Sequence, residues 1–330
     1  VTIAGRGQID GNGLTFVHDR AKQHSDEADY DIQYTRQGET YGDTPLHEEQ
    51  APYLARQPRP GRPLRFYRCR NVVIQDVTIA NAPTWTVFFN ECHDVRVLNI
   101  TIHSFDSSNR VPNDDGLDFL NCYQVRVSGC YIDVGDDALV VFGGSDYVIS
   151  DCHLKSRSAA VRIGWQFAEI RNVILSNLTI EANRGIGLFT RSGYSIENVL
   201  VSNVTIRTRL VAGHWWGHAE PVHISATRFD PDATEIGQIR NVRFKNLLIE
   251  SESGILIYGE QADCIHDIRF DDVTVKLVGG PLQQVLGGNF DLRATKDIKQ
   301  ALFSHDIPAV FARNVNGLSL RDLRIRWGEA

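Results

Sequence analysis

The chain has no methionine, no C-x-x-C pair among its six cysteines, no long run of Lys or Arg, and no long apolar run. Each lack narrows the field. A membrane-spanning helix needs about 18 or more consecutive apolar residues, and none is present. A net charge of −7 without a basic tract argues against a surface that neutralises phosphates, so neither a nucleic-acid nor a membrane partner is expected. Cys69, Cys92, Cys122, Cys130, Cys152 and Cys264 match the spacing of neither a zinc site nor a small disulfide scaffold. With no methionine and an opening at Val1-Thr2-Ile3, the start reads as trimmed, which leaves room for a removed export signal and makes a secreted or periplasmic protein the expectation. The oligomeric state is not written in the sequence.

What the chain does have is a repeat. Short β-branched segments recur at Val72–Ile79, Val95–Ile102, Val125–Ile132, Tyr147–Leu154, Val173–Ile180, Val199–Ile206, Val242–Ile249, Ile268–Val275 and Leu318–Ile325. Most follow an Asn or Asp: Asn71, Asp94, Asn172, Asn198, Asn241 and Asp267. Alternation over five to eight residues is a strand signal. Strands spaced this widely, with no helical pattern between them, indicate solenoid coils stacked about 4.8 Å apart. A sandwich would show turn signals roughly every 8–12 residues and no such register. The expected fold is all-β, a single solenoid domain over residues 1–330, with excursions near 18–56, 211–230 and 279–307. Equivalent positions of neighbouring coils lie above one another, so the cysteines read as buried thiol ladders. The sequons at Asn99, Asn177 and Asn203 fall inside repeat strands and read as structural.

Two acidic phrases stand out against the repeat: Asn113-Asp114-Asp115-Gly116-Leu117-Asp118 and Gly135-Asp136-Asp137-Ala138-Leu139. Their separation is close to one coil, so both should project from one face on adjacent rungs. Carboxylates stacked this closely repel, and at least one should have a raised pKa. Glycoside hydrolysis needs that asymmetry, a protonated acid beside an ionised base. On spacing alone a calcium site or a solvated acidic turn remains open.

The stretch from Arg62-Pro63-Leu64 through Ile163-Gly164 resembles glycoside hydrolase family 28, the polygalacturonase-like enzymes. Gly5-Arg6-Gly7-Gln8-Ile9-Asp10-Gly11-Asn12-Gly13 is similar to that family's G-x-G-x-I-D-G-x-G opening, and Val77–Trp85 to its I-x-N-S-P-x-W coil. Asn113–Asp118 resembles its N-T-D-G-x-D box, with Asp114 in place of Thr, and Gly135–Asp137 its G-D-D box. The resemblance implies a right-handed parallel β-helix and single-displacement hydrolysis with inversion. It implies Asp136 as general acid, Asp115 and Asp137 as the pair that holds and activates water, and Asn113 and Asp118 as residues shaping the substrate site. Acid and base should then lie about 6.5–9.5 Å apart.

The chain departs from the pattern at two boxes. The family's G-H-G-x-S-I-G corresponds to Ser158–Gly164, with Ala159 at the histidine position. Its R-I-K corresponds to Gly187-Leu188-Phe189, so both cations that would receive a uronate carboxylate are missing. Arg162 is expected in the column of Phe189, with Arg191 close by, so the positive charge has an available substitute one rung away. The phrase Gly213–His223 supplies His214, Trp215, Trp216, His218, Glu220 and His223 as sugar-stacking and polar candidates, with Trp165 and Phe189 as further ones.

The sequence therefore points to an inverting glycosidase acting on a pectin-like or other plant or microbial glycan, without a cofactor or metal, and not on plain polygalacturonate. The alternatives are a polysaccharide lyase or epimerase, and a non-catalytic carbohydrate-binding β-helix.

Overall fold

The repeat copies stack position for position. Val72, Val95, Val125, Tyr147, Val173, Val199, Val242, Ile268 and Leu318 are successive lateral partners in parallel strands. So are Ile79, Ile102, Ile132, Leu154, Ile180, Ile206, Ile249, Val275 and Ile325. The computed structural model describes residues 1–18, 54–55, 59–106, 108–109, 111, 113–211, 216–287, 289–293, 302–304 and 308–328. Among these, 22 strands form one continuous parallel array, and the architecture is a right-handed parallel β-helix.

Most repeat copies bend once, and the bend has a local cause. Asp76, Asn99, Asp151, Asn177, Asn203, Asn246 and Asp272 all have φ between 52° and 58°. Asn and Asp tolerate this left-handed region because their short polar side chains bond locally. Here they bond between rungs: the Nδ2 of Asn177 donates to Asp151 at 3.0 Å, Asn203 to Asn177 at 3.2 Å, and Asn246 to Asn203 at 2.8 Å. A second ladder runs Asn172 to Asp146, Asn198 to Asn172 and Asn241 to Asn198 at 2.9, 3.1 and 2.7 Å. The three sequon asparagines are thus corner residues of the solenoid.

The interior is apolar and ordered in columns. Phe66, Phe89 and Phe119 stack at 5.1 and 4.9 Å, and Phe244 on Phe270 at 4.6 Å. All six cysteines are free thiols; Cys92, Cys122, Cys130, Cys152 and Cys264 are buried and Cys69 half-buried.

The excursions differ in detail from the sequence reading. The first leaves and returns through one antiparallel pair, Val17–His18 with Leu54–Ala55. The second is shorter than 211–230, because Val222–Ala226 rejoins the solenoid in register with Ile186–Thr190. That strand is buried on both faces, so it carries no alternation to reveal it. The third contains the short helix Gln283–Leu286 and an antiparallel pair, Asn289–Asp291 with Leu302–Ser304.

Candidate active site

The two acidic phrases are on adjacent rungs, as the spacing requires. The Gly116 amide donates to the Asp137 carbonyl at 2.9 Å, and the Leu117 amide to that of Ala138 at 3.1 Å. Asp115, Asp136 and Asp137 each offer a carboxylate oxygen within 4.8 Å of the others. This is closer than the expected 6.5–9.5 Å, because neighbouring parallel strands, only about 4.8 Å apart, carry the groups. Asp115 and Asp137 are buried, whereas Asp136 is half-exposed. Only Asp136 therefore combines membership of the cluster with access to solvent.

Each carboxylate is fixed differently. Asp136 Oδ2 accepts from the Asn113 amide at 3.2 Å and from its Nδ2 at 3.4 Å, while Asp136 Oδ1 accepts from the Asp137 amide at 3.0 Å. Asp137 Oδ1 accepts from the Ala159 amide at 2.9 Å, so the position that lacks the family histidine still contributes a backbone donor. Asp137 Oδ2 forms an ion pair with Arg162 Nη1 at 2.8 Å. Asp115 Oδ1, both oxygens of Asp118 and, apart from its ion pair, Asp137 Oδ2 are buried without a hydrogen bond.

Burial, with Asp136, Asp118 and Asp137 adding repulsion, pushes the Asp115 carboxyl well above the usual range. Burial likewise pushes Asp118 well up, against the pull of Arg162 and Arg62. Raised carboxyls are thus present in this cluster at Asp115 and Asp118, the first of which was expected in the water-holding pair. Three converging carboxylates also raise the question of a hard cation. The donor set suits one poorly, since a cation there would sit against the Arg162 guanidinium.

Arg162 reaches the acids, but not in the column expected. It is the lateral partner of Gly187, whereas Phe189 partners Ser225. Beyond a one-residue register shift between Ser156 and Ala159, Arg162 is level with the position of the missing arginine rather than the missing lysine. Its guanidinium lies 4.9 Å from the ring of Phe142 and 4.9 Å from that of Trp165, with Trp216 at 5.8 Å. Trp165 and Trp216 are stacked at 5.2 Å and both half-buried, forming an aromatic wall beside the acids. On the other side Arg62 lies over Trp85 at 4.2 Å and Phe88 at 4.3 Å, and Trp85 stacks on Phe142 at 5.7 Å. Arg59 donates to Asn113 Oδ1 at 3.1 Å. Trp85 closes the Val77–Trp85 phrase, whereas Arg59, Arg62 and Phe142 carried no motif signal; all four lie outside the strands, so no alternation marks them.

Phe189, Arg191, His218, Glu220 and His223 come together too, but in the interior, each no more than 1% exposed. They belong to a charged layer that sequence reasoning missed. Arg184 approaches Glu220 and Asp291, each at 3.6 Å, and Arg293 grips Asp291 through Nε at 2.9 Å and Nη2 at 2.8 Å. Arg191 donates to Ser225 Oγ at 2.9 Å and to the Leu292 carbonyl at 3.0 Å, and His223 Nε2 lies 2.8 Å from Ser225 Oγ. Burial lowers His218 to about 4 and His223 well below the ordinary histidine value, so both are neutral, and it lowers Arg191 to about 9. The layer connects to the aromatic wall: the Gly217 amide, next to Trp216, donates to Asp291 Oδ2, and Asn183 Nδ2 donates to the Gly217 carbonyl at 2.9 Å. His214 and Trp215 lie outside the described residues.

Comparison with known proteins bears on the family and the fold. The family model described as glycosyl hydrolases family 28 matches residues 37–289. Exopolygalacturonase B of Aspergillus niger is 26% identical over 203 residues, which is 56% of this chain and 45% of that protein. The chain thus spans less than half the length of this curated relative. Among solved structures, an exopolygalacturonase from Thermotoga maritima has a TM-score of 0.61 at 21% identity, covering 79% of this chain and 54% of that one. The polygalacturonase from Erwinia carotovora ssp. carotovora has a TM-score of 0.54 at 13% identity, covering 99% of this chain and 68% of that one. At such identities the structural likeness shows the fold.

Proposed function

Because the chain belongs to glycosyl hydrolases family 28, we propose that it hydrolyses a glycosidic bond in a pectin-like polysaccharide or oligosaccharide, using Asp136 as the acid and Asp115 with Asp137 as the water-holding pair. The observation that carries this reading is the convergence of the three carboxylates within 4.8 Å, one half-exposed and two buried. Two oxygens at that separation can both accept from one water lying about 2.8 Å from each. The half-exposed Asp136 reaches the glycosidic oxygen. In the reaction the water oxygen bonds to the anomeric carbon, the carbon–oxygen bond to the leaving sugar breaks, Asp136 gives its proton to that oxygen, and the water proton passes to the buried pair. Asn113 orients Asp136, and the wall of Trp165 and Trp216 stacks on a sugar face.

Inversion is the proposed outcome. The short separation favours a second reading, retention through a covalent intermediate, since retaining pairs lie about 5–5.5 Å apart. The proposed substrate is not plain polygalacturonate. Gly187 and Phe189 stand where the family carries its cations, and Arg162 is engaged with Asp137.

The test is a panel of defined oligosaccharides, including oligogalacturonides, with proton NMR of the first product. A product of inverted anomeric configuration from a decorated or neutral oligosaccharide supports the proposal, and a retained one selects the second reading. An unsaturated product would replace hydrolysis with a lyase, and binding without product would leave a carbohydrate-binding solenoid. Release from plain oligogalacturonides as fast as from any other member would refute the substrate assignment.

A further inference from the structure

Buried charges need partners. Four aspartates, Asp115, Asp118, Asp136 and Asp137, gather here, and three of them are no more than 3% exposed. Among the described residues two cations face the cluster directly: Arg162 from the rung of Ala159, and Arg62, held over Trp85 and Phe88. Arg191 lies near enough to Arg162 to feel its charge and donates to Ser225 and Leu292. Of these, Arg162 makes the one direct ion pair with the cluster among the described residues, 2.8 Å to Asp137, with its own side chain 9% exposed. Its guanidinium cannot wander, because Phe142 and Trp165 flank it at 4.9 Å each. Such an arrangement fixes a carboxylate more rigidly than a mobile surface cation could.

We propose that Arg162 is a positioning residue for the acid cluster: it locks Asp137 in place and balances the buried carboxylates, in a coil where the family histidine is Ala159. Its charge serves the protein's own acids instead of a substrate carboxylate. This rests on the glycosidase reading for its catalytic meaning, but the electrostatic role can be measured without turnover. The two halves of Asp137 divide the labour. Oδ1 accepts from the Ala159 amide at 2.9 Å, and Oδ2, which accepts no hydrogen bond among the described residues, faces Arg162 Nη1 as an ion pair at 2.8 Å. Removal of the guanidinium frees Oδ2 and takes from the four aspartates one of the two cations that face them among the described residues. The cluster then takes up a proton it did not hold before, and the base is lost at a pH where the parent has it.

The experiment compares the parent chain with Arg162→Gln, Arg162→Lys, Asp118→Asn and the Arg162→Gln/Asp118→Asn pair. Two readouts are taken across pH: kcat and KM on the panel oligosaccharide turned over fastest, and the infrared band of protonated carboxyl groups. Arg162→Gln should move the acid limb of kcat up by about 1–3 pH units, with KM changed much less, and should add a protonated carboxyl near neutral pH. Arg162→Lys keeps the charge, so it should restore most of the limb's position while kcat stays about tenfold low. Asp118→Asn should move the limb down, and the double variant should return toward the parent. A folded Arg162→Gln protein with limb and carboxyl band both unmoved overturns the proposal. So does a rise in KM confined to acidic substrates, which would mean that Arg162 meets the sugar. Should Arg162→Gln fail to fold, an Asp118→Asn limb that does not move down overturns it equally. Should the parent turn over nothing, the glycosidase reading fails and the infrared band alone decides the role of Arg162.

Discussion

The amide of Gly135 donates to Oδ1 of Asp114, one rung below, at 2.8 Å, and the Asp136 amide donates to the same oxygen at 2.8 Å. The backbone that carries the acidic pair Asp136-Asp137 is thus strapped to the neighbouring rung by a buried side chain. Gly135 has to be a glycine: a Cβ there would lie 2.4 Å from the Val111 carbonyl oxygen and 2.8 Å from Asp114 Oδ1.

Asp114 makes the first prediction, and its sign follows from burial. Burial raises its carboxyl from 3.8 to about 7, against the pull of the two amides. A carboxyl raised on folding contributes its full stability below pH 3.8 and loses it as pH climbs through about 7. Asp114→Asn keeps an acceptor for both amides and removes the titration. The variant should match the parent below pH 4 and exceed it at pH 8 by on the order of 4 kcal/mol, measured by urea denaturation. Equal stability of the two proteins at pH 8 would show that Asp114 is not the strained group.

Asp136→Asn keeps the size and the Asn113 contacts of the proposed acid and removes its proton. Turnover should fall by about 10²–10⁴-fold with the circular dichroism spectrum and melting temperature little changed. Undiminished turnover would move the acid to Asp115, whose carboxyl burial and its acidic neighbours push well above the usual range.

The buried layer gives a stability prediction. Burial disfavours the Asp291 charge, but Arg293 and Arg184 overcome it and hold the carboxyl well below its ordinary 3.8. Asp291→Ala leaves buried cations uncompensated and should cost about 3–5 kcal/mol at pH 7. The stabilisation is present above pH 3.8 and is lost as pH falls below it, so parent and variant should converge in acid. Because Asp291 also holds the Gly217 amide beside Trp216, the variant's tryptophan fluorescence should change together with its stability.

These residues also mark how far the sequence could be read. The columns from Val72 to Leu318 and from Ile79 to Ile325 were legible because a solenoid repeats its contacts at nearly fixed chain spacing. The corner asparagines were legible for the same reason, as was the pairing of Asp115 with Asp137 on adjacent rungs. The charged layer was not. Arg184 meets Asp291 across 107 residues and Arg191 meets Leu292 across 101, and no period links such positions. Its histidines and Glu220 looked like cleft residues because polar types beside tryptophans suit a sugar site equally well. Only burial distinguishes the two environments, and burial on both faces of Val222–Ala226 erased the strand pattern that would have signalled it.

Gly187 carries the last prediction, and it bears on substrate. A Cβ built on Gly187 would lie 2.3 Å from Phe189 Cζ and 2.9 Å from Cε1, so the ring occupies the space into which any side chain there must project. The ring cannot readily leave. Arg184 and Arg191 lie over it at 5.0 and 5.1 Å, and His223 meets it edge-on at 4.8 Å. Gly187→Ala should therefore cost about 1–3 kcal/mol, the usual range for overpacking. Phe189→Ala should cost about 3–5 kcal/mol through the cavity it leaves. The double variant should cost less than the sum, because the second change removes the clash made by the first. Strict additivity in denaturant melts would mean that the ring swings aside without strain. The same contact governs specificity, since the family's first cation would project from this position. Gly187→Arg alone should give an unstable protein with no gain on galacturonan. A gain in galacturonan cleavage by that single variant would show that Phe189 is a movable lid over a working uronate site.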